Sequence, residues 1–294
     1  MSRKLVVSLI TEDQEFQRMQ GTDASRTAGK LGLDVEVLFA ENNAVLQIQQ
    51  LFRFVHAPEA ERPLAIVTET VAGGGLERVA RNAVKAGIAW VLVNRRVPYL
   101  DELRKERPDL ATFMVSTDQE EIGRIQARQF RSLLPNGGSL LYVQGPPDTS
   151  VAQDRLRGAE EGLGGASIQM KVVNGDWTEQ SGEKAVSSWL RLQSTESFHV
   201  EVIGSQNDSM AVGARRALHA VRVQASGVRF TGCDGLAEGG CRLVDDGALA
   251  ATIVTPSNTG PAIEHLASWI RAGKVPPREV LLTPRSYPDE SMIR

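Results

Sequence analysis

Little in this chain points to nucleic acid, to a membrane or to catalysis. The formal net charge is −3, so there is no basic excess to displace the counterions of a polyanion. The short blocks Arg95-Arg96 and Arg104-Lys105 are too small to change that. No apolar run approaches the roughly 20 residues that span a bilayer. Two cysteines, Cys233 and Cys241, read as reduced, partly buried thiols rather than as a disulfide framework. The histidines His56, His199, His219 and His265 are isolated, and none has metal-ligand spacing to Cys, Asp or Glu, so no metal site is expected. No Gly-x-Ser-x-Gly elbow occurs. Gly162-Leu163-Gly164-Gly165 precedes an apolar run instead of following one, which fails the dinucleotide fingerprint. Val71-Ala72-Gly73-Gly74-Gly75 does follow a strand-like run, but it lacks the Lys-Ser/Thr of a phosphate loop and reads as a permissive turn. Neither catalytic residues nor a cofactor are expected.

What is present is ordinary globular material. The 294 residues are 41% hydrophobic and 23% charged, enough for two domains of usual size or one large one. Met1-Ser2-Arg3-Lys4 is followed by only a short apolar run, Leu5 to Ile10, where a signal core needs roughly 7–15 such residues. The expectation is a cytosolic chain, or an exported one whose leader has been removed.

Strand-like and helix-like segments alternate. Apolar runs at 5–10, 35–39, 64–67, 89–93 and 112–115 are separated by helix-like stretches at 16–31, 44–55, 75–86 and 99–106. A second series has runs at 139–143, 168–173, 200–203, 228–231 and 250–254, with helices at 150–163, 180–193, 208–221 and 235–245. Such alternation predicts an α/β fold: parallel sheets with helices on both faces, in two Rossmann-like lobes. Residues 118–134 form the helix between the two series. After Val254 a lone helix (259–272) and strand (279–282) return to complete the first lobe. The expected lobes are 1–117 plus 256–280, and 118–255 plus 281–294. Short crossings are expected near Thr117, at Asp234-Gly235 and at Thr255, because no flexible linker separates the halves.

Polar residues recur at the carboxyl ends of these strands, where open α/β sheets bind ligands. The fullest case runs from Val143 to Gly162. Gly145-Pro146-Pro147 stops a strand, Asp148-Thr149-Ser150 can cap the next helix, and Arg155 falls in that helix's first turns. A guanidinium there offers five fixed donors for a hydroxyl pair, a carboxylate or a phosphate. Asn94-Arg95, Thr117-Asp118, Trp177, Asn207-Asp208, Asp234 and Thr255 occupy similar places. Amides and charged groups grip sugar hydroxyls, while an aromatic ring covers a C–H face. Singly, each has a plainer reading: Asn207 or Asp234 as a helix cap, Trp177 as core, Asn94-Arg95 as a solvated turn. The repetition favours a ligand site.

These segments resemble the type 1 periplasmic binding proteins of the ribose and galactose class, which also supply the effector domains of lactose-repressor-like regulators. The resemblance spans nearly the whole chain and is carried by Asn94-Arg95, Gly145-Pro-Pro-Asp-Thr-Ser-Val-Ala-Gln-Asp-Arg155, Gly175-Asp-Trp177, Gln206-Asn-Asp-Ser-Met-Ala211, Gly232-Cys-Asp-Gly235 and Asp246-Gly-Ala-Leu-Ala-Ala-Thr252. It implies two lobes joined by a three-segment hinge, closing over a monosaccharide or a related polyol or sugar acid. It implies polar ligand contacts from Arg95, Arg155, Asn207 and Asp234, an aromatic wall from Trp177, and Thr255 at the hinge.

The chain departs from that pattern in its first lobe. Asn94-Arg95 stands where relatives commonly carry Asp-Arg, which removes a charge from the sugar grip. The first loop reads Thr11-Glu-Asp-Gln-Glu-Phe16 in place of Asn-Pro-Phe-Phe, leaving Phe16 as its one aromatic. Thr68-Glu69-Thr70 after the third strand is also unusual, with Thr68 at the strand end. The resemblance implies a non-catalytic solute receptor for an ATP-driven importer, periplasmic if a leader has been removed, with an ABC permease as partner. The alternative is a cytosolic ligand sensor acting on a regulator or kinase. No helix-turn-helix precedes Leu5, which speaks against direct DNA binding.

Overall fold

Strands whose every residue is apolar cannot lie on a sheet with one wet face. In β1 (Lys4–Leu9), β3 (Ala65–Thr68) and β4 (Ala89–Val93) nearly every side chain is buried, so helices must cover both faces. The computed structural model describes residues 4–192, 200–220 and 227–293. His199 and the carboxyl ends of the helices expected at 180–193 and 208–221 lie outside the described residues.

The first of two compact units comprises Met1–Thr117 and Ser257–Leu282. Its parallel sheet also contains β2 (Asp34–Phe39), β5 (Thr112–Thr117) and β11 (Glu279–Leu282), in the order β11-β5-β4-β3-β1-β2. Helices α1 (Glu15–Leu31), α2 (Ala44–Val55), α3 (Glu77–Lys85), α4 (Leu100–Glu106) and α10 (Thr259–Ala272) cover it. Leu51, Val79, Trp90, Phe113 and Ile263 belong to one apolar core. Local chemistry sets the helix limits. Asn43 caps α2 by accepting from Val45 N–H and Leu46 N–H. Gly32 ends α1 in the left-handed conformation, at φ 69°.

The second unit comprises Asp118–Pro256 and Thr283–Arg294. Parallel strands β6 (Gly138–Gln144), β7 (Ile168–Asn174), β8 (Val202–Ser205) and β9 (Arg229–Thr231) pair in the order β7-β6-β8-β9. Helices α5 (Gln119–Leu133), α6 (Ser150–Leu163), α7 (Glu179–Leu192) and α8 (Asp208–Ala220) flank the strands. Each order reverses beside the unit's first strand, at β1/β3 and at β6/β8. That is the switch point outside whose carboxyl ends a crevice opens. α5 and α6 approach until backbones touch: a Cβ at Gly123 would sit 2.1 Å from Arg155 O, and one at Gly158 2.0 Å from Glu120 O. This contact locks the helix that carries Arg155.

The structure departs from the sequence reading in three places. The helix expected at 235–245 is broken, with a π-helical turn (Ala237–Cys241) leading into the short α9 (Arg242–Asp245). Gly239, followed by a second glycine, takes non-helical angles there (φ −109°, ψ −108°). The run at 250–254 yields a short strand, β10 (Thr252–Val254), which pairs antiparallel with β12 (Arg285–Tyr287). That last strand has no apolar alternation to announce it. The chain passes between units after Thr117, after Pro256 and after Leu282. Asp234-Gly235 lies inside the second unit, so the crossing expected there is at Leu282–Thr283 instead.

Candidate functional site

In the first unit the polar groups gather beyond β1, β3 and β4. Asn94 follows β4 with φ 63°, a left-handed conformation that non-glycine residues adopt rarely. Its Nδ2 donates to Glu69 Oε1 at 2.8 Å. Arg95 donates from one terminal nitrogen to Thr70 O and Val71 O, both at 3.0 Å, and its Nε lies 3.5 Å from Glu69 Oε1. Glu69 is 1% exposed and also accepts from Gln17 Nε2 at 2.9 Å. Gln17 is fixed in turn, because its Oε1 accepts from Ile10 N–H. Phe16 stands half-buried in the first turn of α1. Thr68 is fully buried, and its hydroxyl accepts from Gln47 Nε2 on α2 at 3.4 Å.

In the second unit Arg155 is 4% exposed. Its Nε donates to Gln119 Oε1 at 2.8 Å, and a terminal nitrogen donates to Gln206 O. Both acceptors are neutral. The guanidinium carbon lies 5.7 Å from the centre of the Trp177 ring, within cation–π range. Trp177 itself has φ 73°, and its buried Nε1–H has no hydrogen-bond partner. Asn207 joins this group by donating Nδ2 to Trp177 O at 2.9 Å. Its Oδ1 accepts from Met210 N–H, so one side chain both caps α8 and holds the tryptophan backbone.

Beyond β9, Asp234 is half-exposed with φ 111°. Its carbonyl accepts from Thr255 N–H at 3.1 Å and from Thr255 Oγ1 at 3.3 Å. Thr255 directly precedes Pro256, the last residue before the second crossing. The Asp234 turn rests on Asp208, whose carboxylate accepts from Gly235 N–H at 2.8 Å and from Thr252 Oγ1 at 2.6 Å.

The residues expected from the sequence thus fall into groups: Asn94 with Arg95, Arg155 with Trp177 and Asn207, and Asp234 with Thr255. Sequence reasoning missed Gln17 and the structural part of Asp208. It noted Glu69 only as unusual, although a carboxylate immediately after a central strand was the available signal. Three of the five described non-glycine residues with positive φ are Asn94, Trp177 and Asp234. Burial pushes the Cys233 thiol up to about 12, with Asp234 and Asp208 adding to the rise and Arg155 opposing it. Neither cysteine is in a disulfide. No group of three or more His, Cys, Asp or Glu side chains among the described residues could hold a metal ion. No described helix is long and apolar enough to cross a membrane.

Comparison with known proteins bears on what such an arrangement serves. A family model described as periplasmic binding protein domain matches residues 5–259. The chain is 24% identical over 285 residues to the galactofuranose-binding protein of Escherichia coli K12, covering 95% of this chain and 86% of that one. It is 31% identical over 176 residues to the D-galactose/methyl-galactoside binding periplasmic protein of Haemophilus influenzae, covering 55% and 51%. Among solved structures, a galactofuranose binding protein superposes with TM-score 0.85 at 21% identity, over 97% of this chain and 94% of that one. A myo-inositol binding protein from Caulobacter superposes with TM-score 0.82 at 22% identity, over 97% and 92%. At these identities the superpositions establish the fold.

Proposed function

The chain belongs to the periplasmic binding protein family, and from that premise we propose that it is a non-catalytic receptor for a sugar or polyol, delivering its ligand to an ATP-driven importer. Three left-handed residues carry the reading. Asn94, Trp177 and Asp234 each hold a positive φ just past the carboxyl end of a strand, at a cost on the order of 1–3 kcal/mol apiece. Glycine would meet a purely conformational demand there at the least steric cost. Holding an amide, an indole and a carboxylate in those conformations makes sense where the side chains themselves are required. Asn94 and Asp234 offer acceptors and donors for hydroxyls, and Trp177 offers an apolar face for ring C–H groups. Arg155 adds a buried cation whose two hydrogen-bond acceptors are neutral.

The proposed ligand contacts are Phe16, Asn94, Arg95, Arg155, Trp177, Asn207, Asp234 and Thr255; Thr68, expected among them, is fully buried with its hydroxyl bonded by Gln47 and has no surface to offer a ligand. The relatives' names supply the ligand class: galactofuranose, galactose, ribose, D-xylose and xylitol. Names such as ribose import binding protein also support the transport role. Two relatives are named as periplasmic, which supports that compartment; an ABC permease is the proposed partner.

A thermal-shift screen over D-galactose, D-ribose, D-xylose, xylitol and myo-inositol tests the reading. A ligand at 100 times its dissociation constant stabilises by about 2.7 kcal/mol, a shift of several degrees. Absence of any shift across sugars, polyols and sugar acids at millimolar concentration defeats it.

A further inference from the structure

The first unit buries one carboxylate that no motif requires. Glu69, the residue after β3, is 1% exposed; its carboxylate accepts from Gln17 Nε2 and Asn94 Nδ2 and forms an ion pair with the Arg95 guanidinium. A carboxylate only accepts, so it dictates which end of each amide faces it. Gln17 cannot reverse its amide without also losing the bond from Ile10 N–H to its Oε1. Asn94 cannot reverse without setting oxygen against oxygen. Glu69 thus fixes the orientation of the Asn94 amide, and it faces the Arg95 charge with an opposite one from within the same unit.

We infer that Glu69 is a positioning residue of the ligand site and sets its preference for uncharged over acidic ligands; this rests on the sugar-binding reading above. Glu69→Gln keeps the shape but not the chemistry. A glutamine has one acceptor oxygen, so its amide nitrogen must face either Gln17 or the Asn94–Arg95 side, and both present donors. The substitution also raises the local charge by one. The site loses its preset hydrogen bonds to a neutral sugar and becomes more favourable for a carboxylate-bearing one. Adding N94D returns a carboxylate to the same junction, one that can accept from an amide at position 69 and face Arg95.

Calorimetric titration of wild type, E69Q and E69Q/N94D at pH 7 and low salt tests this, with D-galactose, D-ribose and D-xylose paired against D-galacturonate, D-ribonate and D-xylonate. Thermal melts establish folding. In E69Q, affinity for the neutral sugar falls by about tenfold or more, as expected when a buried charged hydrogen-bond partner is removed. The acid loses less, and the neutral-to-acid ratio drops by about tenfold. E69Q/N94D restores that ratio to within about threefold of wild type, a rescue that a purely structural role does not produce. A folded E69Q with wild-type affinity and ratio overturns the inference, and so does an equal loss for both members of a pair. If E69Q does not fold, the double variant decides: folding with a wild-type ratio supports the inference, while folding without that ratio, or failure to fold, overturns it. Wild-type protein that binds none of these probes and none of the sugars and polyols of the thermal-shift screen defeats the sugar-binding reading itself. Wild type that binds beside an unresponsive E69Q defeats only the role of Glu69.

Discussion

The Trp177 indole rests on bare backbone at Gly145: a Cβ on Gly145 would lie 2.2 Å from Cη2 and Cζ2 of the ring. Arg155 approaches the same ring, its guanidinium carbon 5.7 Å from the centre. Gly145→Ala therefore displaces the tryptophan, whose ring atoms are the three nearest to the added Cβ. Overpacking of this kind costs about 1–3 kcal/mol, so the protein should remain folded. The expected outcome is a changed tryptophan emission spectrum and an affinity for the cognate sugar about tenfold weaker. Wild-type spectrum and affinity together would show that the ring is not part of the ligand surface.

Arg155 separates geometry from charge. Its Nε and one terminal nitrogen serve Gln119 and Gln206, so the fork is held in one plane. Lysine keeps the charge but not the fork. Both Arg155→Lys and Arg155→Ala should weaken binding by about tenfold or more, with alanine the worse of the two. A lysine variant with wild-type affinity by calorimetry would reduce the role of Arg155 to a point charge.

Much of the fold was legible because local and tertiary signals agree. Residues 44–55 carry helical apolar spacing with Asn43 placed to cap them, and the helix occupies those residues. Residues 150–163 behave alike behind Thr149. Illegible parts depend on partners far away in sequence. Glu69 meets Gln17 across 52 positions and Asn94 across 25, and no local pattern records that. Arg285–Tyr287 becomes a strand only because Thr252–Val254 is there to pair with it. Asn207 shows a different limit: the sequence offered it as a helix cap or as a ligand contact, and the structure shows one side chain that caps α8 with its oxygen and holds the Trp177 carbonyl with its nitrogen.

Asp234 allows strain and function to be measured apart. Its φ of 111° is easy for glycine and costly for anything with a Cβ. Asp234→Ala and Asp234→Gly both remove the carboxylate, but only the glycine relieves the backbone. The glycine variant should be more stable than the alanine variant by about 1 kcal/mol, while both bind sugar at least about tenfold more weakly. Denaturant titrations giving equal stability would mean that the turn is not strained.

Cys233 ties stability to alkaline pH. The thiol is fully buried, and burial raises it from an ordinary value of 9.0 to about 12. Between those values the unfolded chain has released the proton while the native protein still binds it. Ionisation therefore favours the unfolded state, and stability falls as pH rises, by at most about 1.4 kcal/mol per pH unit from this group. Below the lower value the two states bind the proton equally and the effect vanishes. Other groups titrate in the same window, so the informative quantity is the difference between wild type and Cys233→Ala. Urea titrations should show that the wild type's advantage over the variant is constant from pH 7 to 8 and shrinks steadily from pH 9 to 11. In native protein at pH 8 a thiol reagent should leave Cys233 unmodified, while denatured protein reacts at both cysteines. A wild-type-minus-variant difference that stays flat to pH 11, or rapid labelling of Cys233 in the native state, would show that the thiol is not held in a dry core.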